Sequence, residues 1–147
     1  MRDSMDRLQA LNMKEVKIVS DEWGSGENDV IPNGAFQSKT SLQFIILPDQ
    51  LRVIKEFAFY HCNSLHGSLI IPEGVVVIKS NAFTECSGMR GMLVLPSTLE
   101  RIEYDVFSFC NFIGELKLPD KLKYIGGQAF TACKNFVGTL VLPKNLQ

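Results

Sequence analysis

Proline returns in this chain at Pro48, Pro72, Pro96, Pro119 and Pro143, at intervals of 24, 24, 23 and 24 residues, and its neighbours return with it. A unit that short cannot bury its own apolar face, so successive units have to stack and close one shared core between them. That requirement leaves a solenoid as the architecture.

The units read LPDQLRVIKEFAFYHCNSLHGS, IPEGVVVIKSNAFTECSGMRGM, LPSTLERIEYDVFSFCNFIGE and LPDKLKYIGGQAFTACKNFVGT, followed by LPKNLQ. Aligned on proline, they give columns. Three residues on stand Leu51, Val75, Leu99, Leu122 and Leu146, and six on stand Ile54, Ile78, Ile102 and Ile125. A phenylalanine column, Phe59, Phe83, Phe107 and Phe130, follows Ala58, Ala82, Val106 and Ala129. A further apolar column is read as Leu65, Met89, Ile113 and Phe136, with Gly67, Gly91, Gly114 and Gly138 close behind.

Ahead of each proline the apolar residues alternate: Ile45 and Leu47, Leu69 and Ile71, Leu93 and Leu95, Leu116 and Leu118, Leu140 and Leu142. A period of two marks a strand with one buried face, and proline, lacking a donor, ends it. A second extended piece follows each proline, as in Leu99 to Ile102, and the turn holding the Ala-Phe pair closes the coil. An earlier, degenerate unit is expected over residues 14–42, because VIPNGAFQSKTSL parallels VIKEFAFYHCNSL, with its strand at Val16 to Val19. Residues 20–29 then form an inserted loop. Residues 1–13 read as a short amphipathic lead-in, with Met5, Leu8 and Leu11 at helical spacing.

The pattern LxLPxxLxxIxxxAFxxCxxL resembles the BspA-like, or Treponema-type, leucine-rich repeat, over roughly residues 13–147. The resemblance implies an α/β-type repeat solenoid, mostly β: a right-handed coil with a parallel strand ribbon, built from repeats of 23–24 residues. The whole chain is then one leucine-rich-repeat domain, with four regular repeats over 43–139 and a truncated one over 140–147. It also implies a secreted or cell-surface setting and a non-catalytic interaction or adhesion role, with a protein, peptide or glycan as partner, and no cofactor. The upstream unit departs from the pattern in lacking the proline, the cysteine and the glycine.

All four cysteines, Cys62, Cys86, Cys110 and Cys133, hold one repeat position. Recurring once per coil, they form a line and not the convergent cluster that zinc requires. Disulfides between side chains that point the same way have poor geometry, so the thiols read as a buried, reduced ladder. His61 and His66 flank Cys62 and invite a thiol-imidazole dyad. Their slots in other coils accept Glu85, Phe109 and Ala132, or Arg90 and Val137, which speaks for exposed positions and against catalysis.

Binding candidates lie elsewhere. Two residues before each proline stand Ile46, Ile70, Val94, Lys117 and Val141, with Phe44 and Met92 two residues earlier in their units. If these face solvent they make an apolar stripe of the kind that marks an interaction site. The alternative is that β-branched residues merely suit strands, and the domain is a spacer within a larger surface protein. The loop Asp21 to Asp29 carries Trp23, a candidate partner contact, and four carboxylates whose spacing does not match an EF-hand. Phe57, Tyr60, Tyr104, Phe109, Phe112 and Tyr124 fall on variable slots and read as surface decoration.

Composition sets the outer limits. With 46% hydrophobic and 21% charged residues the 147-residue chain carries enough apolar surface for a core. Fifteen basic against sixteen acidic residues leave a net charge of −1, which gives nucleic acid or anionic lipid no electrostatic footprint. The opening residues lack the apolar core of a signal peptide, and no apolar run reaches membrane-span length. After LPKNLQ the pattern calls for isoleucine, Ala-Phe and cysteine, so the expectation is a piece of a longer protein, with self-association through the uncapped last repeat as a further possibility.

Overall fold

The computed structural model describes residues 7–19 and 28–147. The chain order is β1 (Ala10–Asn12), β2 (Val30–Ile31), β3 (Phe44–Ile46), β4 (Val53–Ile54), β5 (Leu69–Ile70), β6 (Val77–Ile78), β7 (Leu93–Val94), β8 (Arg101–Ile102), β9 (Gly114–Glu115), β10 (Tyr124–Ile125) and β11 (Phe136–Val137). No helix occurs among the described residues, and every strand pairing is parallel. The chain is a β-solenoid whose coils follow the repeat.

The second extended piece of each unit, after the proline, builds the longest ribbon. Five strands run in the order β2-β4-β6-β8-β10, one per coil, so the described chain makes about four turns. Its rungs are regular: Arg52, Val76, Glu100 and Lys123 each donate their N–H to the same position one coil back, at 2.8–2.9 Å. The pre-proline strands are more fragmented, with β1 paired to β3 and β5 to β7, and β9 pairing with β11 a few residues earlier in the coil.

The Ala-Phe turn is the third bonded side of the coil. Here the direction reverses: Phe57, Phe59 and His61 donate forward to the carbonyls of Ser80, Ala82 and Thr84, and the following coils repeat the pattern. Two left-handed residues per coil allow this. One lies two before the phenylalanine (Phe57, Asn81, Asp105, Gln128) and one two after it (His61, Glu85, Phe109, Ala132), all with φ between 56° and 62°. Each such residue without glycine's freedom costs about 1–2 kcal/mol, which the surrounding ladder has to offset.

Inside, the repeat columns become stacks. Phe36, Phe59, Phe83, Phe107 and Phe130 form one column of near-parallel rings with centroids 5.1–5.8 Å apart. Beside it the leucine and isoleucine columns are fully buried from Leu51 to Leu122 and from Ile54 to Ile102, while Ile125 and Leu146, in the last coils, are half-buried.

Three expectations are corrected. The strand of the first coil is β1 and not Val16–Val19, where no strand forms; Leu11 and Met13 supply the two-residue spacing that Ile45 and Leu47 repeat, whereas Val16 and Val19 are exposed. Leu11 therefore sits in a strand and not on a helical face; Met5 lies outside the described residues. Finally, Phe112 and not Ile113 fills the apolar column: Phe112 is fully buried, packed on Phe107 and Phe136, while Ile113 is exposed. The shorter, 23-residue unit has one residue, Asn111, between its cysteine and the apolar column where the others have two, which shifts every later position by one.

Candidate interaction surface

The stripe foreseen on the pre-proline strands is on the surface. Burying Ile45, Leu47, Leu69, Ile71 and Leu93 against the core turns their neighbours outward, as strand alternation dictates. Ile46, Ile70, Val94 and Val141 are 41–73% exposed, Phe44 and Met92 are 51% and 56% exposed, and the Lys117 side chain lies open to solvent. The structure thus brings seven of the eight predicted residues onto one face. The eighth, Trp23, lies outside the described residues, as does most of the acidic loop around it.

Polar groups are sparse on this face. Lys117 stands 3.8 Å from the Glu115 carboxylate, Phe44 meets His66 edge-on at 4.2 Å, and Ser68 accepts the Met92 N–H through Oγ. Val137, Leu140 and Leu142 are also exposed, in the last coil.

The stripe is divided by openings that sequence reasoning missed. A cavity of about 450 Å³ lies where Ile45–Leu47 face Ser68 and Ile70, and one of about 500 Å³ where Met92–Leu95 face Glu115 and Lys117. A third, about 250 Å³, separates Glu115–Leu118 from Thr139–Leu142. Backbone pairing is not written in side-chain alternation, so only the one-residue deletion before Phe112 hinted at a disturbance.

The cysteines are built into the wall of the core. Each thiol donates to the carbonyl of the phenylalanine one coil back: Cys62 to Phe36, Cys86 to Phe59, Cys110 to Phe83 and Cys133 to Phe107, at 2.9–3.2 Å. All four are free thiols; three are buried and Cys133 is half-buried. Burial pushes Cys62 and Cys133 up to about 11 and raises Cys86 and Cys110 further, with the neighbouring thiols adding to the rise in the latter two. Such thiols stay protonated and are poor nucleophiles.

No dyad assembles beside them. His61 Nε2 pairs with Glu85 Oε2 at 2.8 Å on the surface, while Cys62 Sγ points inward to Phe36. His66 lies by the Ser64 carbonyl and Phe44. Among the described residues no three His, Cys, Asp or Glu side chains gather as a metal site would require, and no helix is long and apolar enough to cross a membrane. Of the aromatics expected on the surface, Tyr104 and Phe109 are exposed and Tyr124 carries the Arg101 guanidinium 4.3 Å above its ring, whereas Phe112 belongs to the core. Arg101 and Tyr124 are cross-strand partners in β8 and β10.

No curated protein matches the chain. Residues 29–147 match the model of the BspA type leucine rich repeat region in six copies. A leucine-rich repeat protein of Treponema pallidum, solved by crystallography, is similar at 33% identity and a TM-score of 0.67, over 73% of this chain and 49% of that one. A leucine-rich repeat protein from Bacteroides ovatus is similar at 21% identity and a TM-score of 0.49, over 94% of this chain and 44% of that one. The chain thus spans about half the length of each. With six repeat copies covering most of its length, the chain belongs to the BspA-type leucine-rich repeat family.

Proposed function

We propose that this domain is a non-catalytic interaction module that engages a protein, peptide or glycan partner through the pre-proline stripe. The family points to an interaction scaffold, and members of such repeat families are typically non-enzymatic. The observation that carries the reading is the shared exposure of Phe44, Ile46, Ile70, Met92 and Val94 on the pre-proline strands. Isoleucine and valine suit strands on their own account, but with Phe44 and Met92 beside them they make an apolar surface whose desolvation against a partner is favourable. Adhesion at a cell surface or after secretion is the setting we propose, on the resemblance to the family.

The test uses photo-crosslinking residues placed at position 94 on the stripe and at position 121 away from it, in the presence of surface extracts and glycan arrays. Adducts at 94 that are absent at 121 and lost with Ile70→Asp support the module. The spacer reading predicts that Ile70→Asp and Val94→Asp alter solubility and nothing else.

A further inference from the structure

We propose that the pre-proline face is jointed: its coils hinge about the unbroken post-proline ladder, opening or shutting backbone rungs at three positions along the stripe. The rungs that exist define the pattern. Met13 donates to the Ile46 carbonyl at 2.9 Å and Ile71 to that of Val94 at 3.0 Å. At the equivalent positions between Leu47 and Ile70, Leu95 and Lys117, and Leu118 and Val141, no such bond forms among the described residues. The three cavities occupy these three places.

The other sides of the same coils remain bonded. Across the first joint Val76 donates to Arg52 and Phe59 to Ala82; across the second Lys123 donates to Glu100 and Phe107 to Ala129, all at 2.8–2.9 Å. Gln147 donates to Lys123 across the third at 2.9 Å. At the first two joints, two bonded ladders with the pre-proline rung missing leave tilt about those ladders as the free motion; at the third, the Gln147 bond and the β9–β11 pairing hold the coils together around the missing rung. At the first two joints the flanking residues keep their inward and outward alternation, so shutting either needs no change of register. A backbone bond made at the expense of water shifts a population by about tenfold, so small forces choose between open and shut. The second joint has a cause in the sequence, the residue lost before Phe112; nothing in the sequence explains the first.

This inference does not rest on the stripe being a binding site. If it is one, a partner gripping Ile46 and Ile70, or Val94 and Lys117, spans a joint and sets its angle.

Amide exchange on the 147-residue chain tests the joints. Leu47, Leu95 and Leu118 should exchange at least about 100-fold faster than Ile71. A Ile46→Cys/Ile70→Cys pair, oxidised, should bridge as readily as Ile70→Cys/Val94→Cys, because shutting the joint brings the Cα atoms within the roughly 7 Å that a disulfide allows. The bridge should slow Leu47 to within about tenfold of Ile71, and reduction should reverse it. Equal protection of the four amides in the unmodified chain overturns the inference. So does failure of the first pair to bridge where the second succeeds, or a bridge that leaves Leu47 exchange unchanged.

Discussion

At the scale of single residues, the cysteines carry the most information. Each thiol is at once a small apolar filler and a second donor to a phenylalanine carbonyl that already accepts a backbone N–H in its own coil, so it ties neighbouring coils together where alanine would only fill space. We expect Cys86→Ala to destabilise the domain by about 1–2 kcal/mol in urea unfolding, and Cys133→Ala, at a half-buried rung, by about half as much. Equal costs would mean that burial is not what sets the value of the rung. The raised thiols also give stability a pH dependence of known sign. In the unfolded chain they ionise near 9, in the folded one near 11 for Cys62 and Cys133 and higher for the other two. The folded state therefore holds more protons between those limits, so stability is fully present below about pH 9 and falls as pH rises, by up to about 1.4 kcal/mol per pH unit per thiol. Urea midpoints from pH 8 to 11 should fall less steeply in Cys62→Ala/Cys86→Ala than in the unmodified chain.

At the scale of the coil, most of the fold was legible because each structural job recurs in one column. The strand alternation, the phenylalanine stack and the cysteine line all come from residues that cannot exchange places without exposing apolar surface or losing a bond between coils. Where reading failed, a local change had shifted the frame. Ile113 looked correct by counting forward from Cys110, yet glycine follows the apolar column by two in the other coils, and Gly114 counts back to Phe112. Phe112→Ala should accordingly cost about 3–5 kcal/mol and Ile113→Ala under about 1; reversed values would restore the uncorrected register. The left-handed positions were not legible, since Phe57, Asn81, Asp105 and Gln128 share no chemistry, only a backbone angle imposed by the forward-bonding turn. Gln128→Gly, exposed and at φ 62°, should raise stability by about 0.5 kcal/mol, the relief of left-handed strain slightly exceeding glycine's entropy cost. The candidate surface was half legible: alternation predicted which side chains point outward, but not that the ribbon beneath them is broken.

At the scale of the molecule, a solenoid couples its parts only through neighbours, so its cooperativity depends on the columns being uninterrupted. Phe83 is the place to interrupt them. Its ring stacks on Phe59 at 5.1 Å and on Phe107 at 5.8 Å, and its backbone donates to Val106 while accepting the Cys110 thiol. Phe83→Ala should therefore cost about 3–5 kcal/mol. Its more telling effect concerns range: with the stack cut, the coils built on β2 and β4 and those built on β8 and β10 should open as separate units, where the intact column makes them open together. Native-state exchange in low urea distinguishes the two. Merging of all slow amides into one isotherm in the unmodified chain, and their splitting into two in Phe83→Ala, is the expected result; a single isotherm in both would place the coupling in the backbone ladders rather than the rings. The distinction bears on function, because a surface made of one residue per coil keeps its spacing only while neighbouring coils hold theirs.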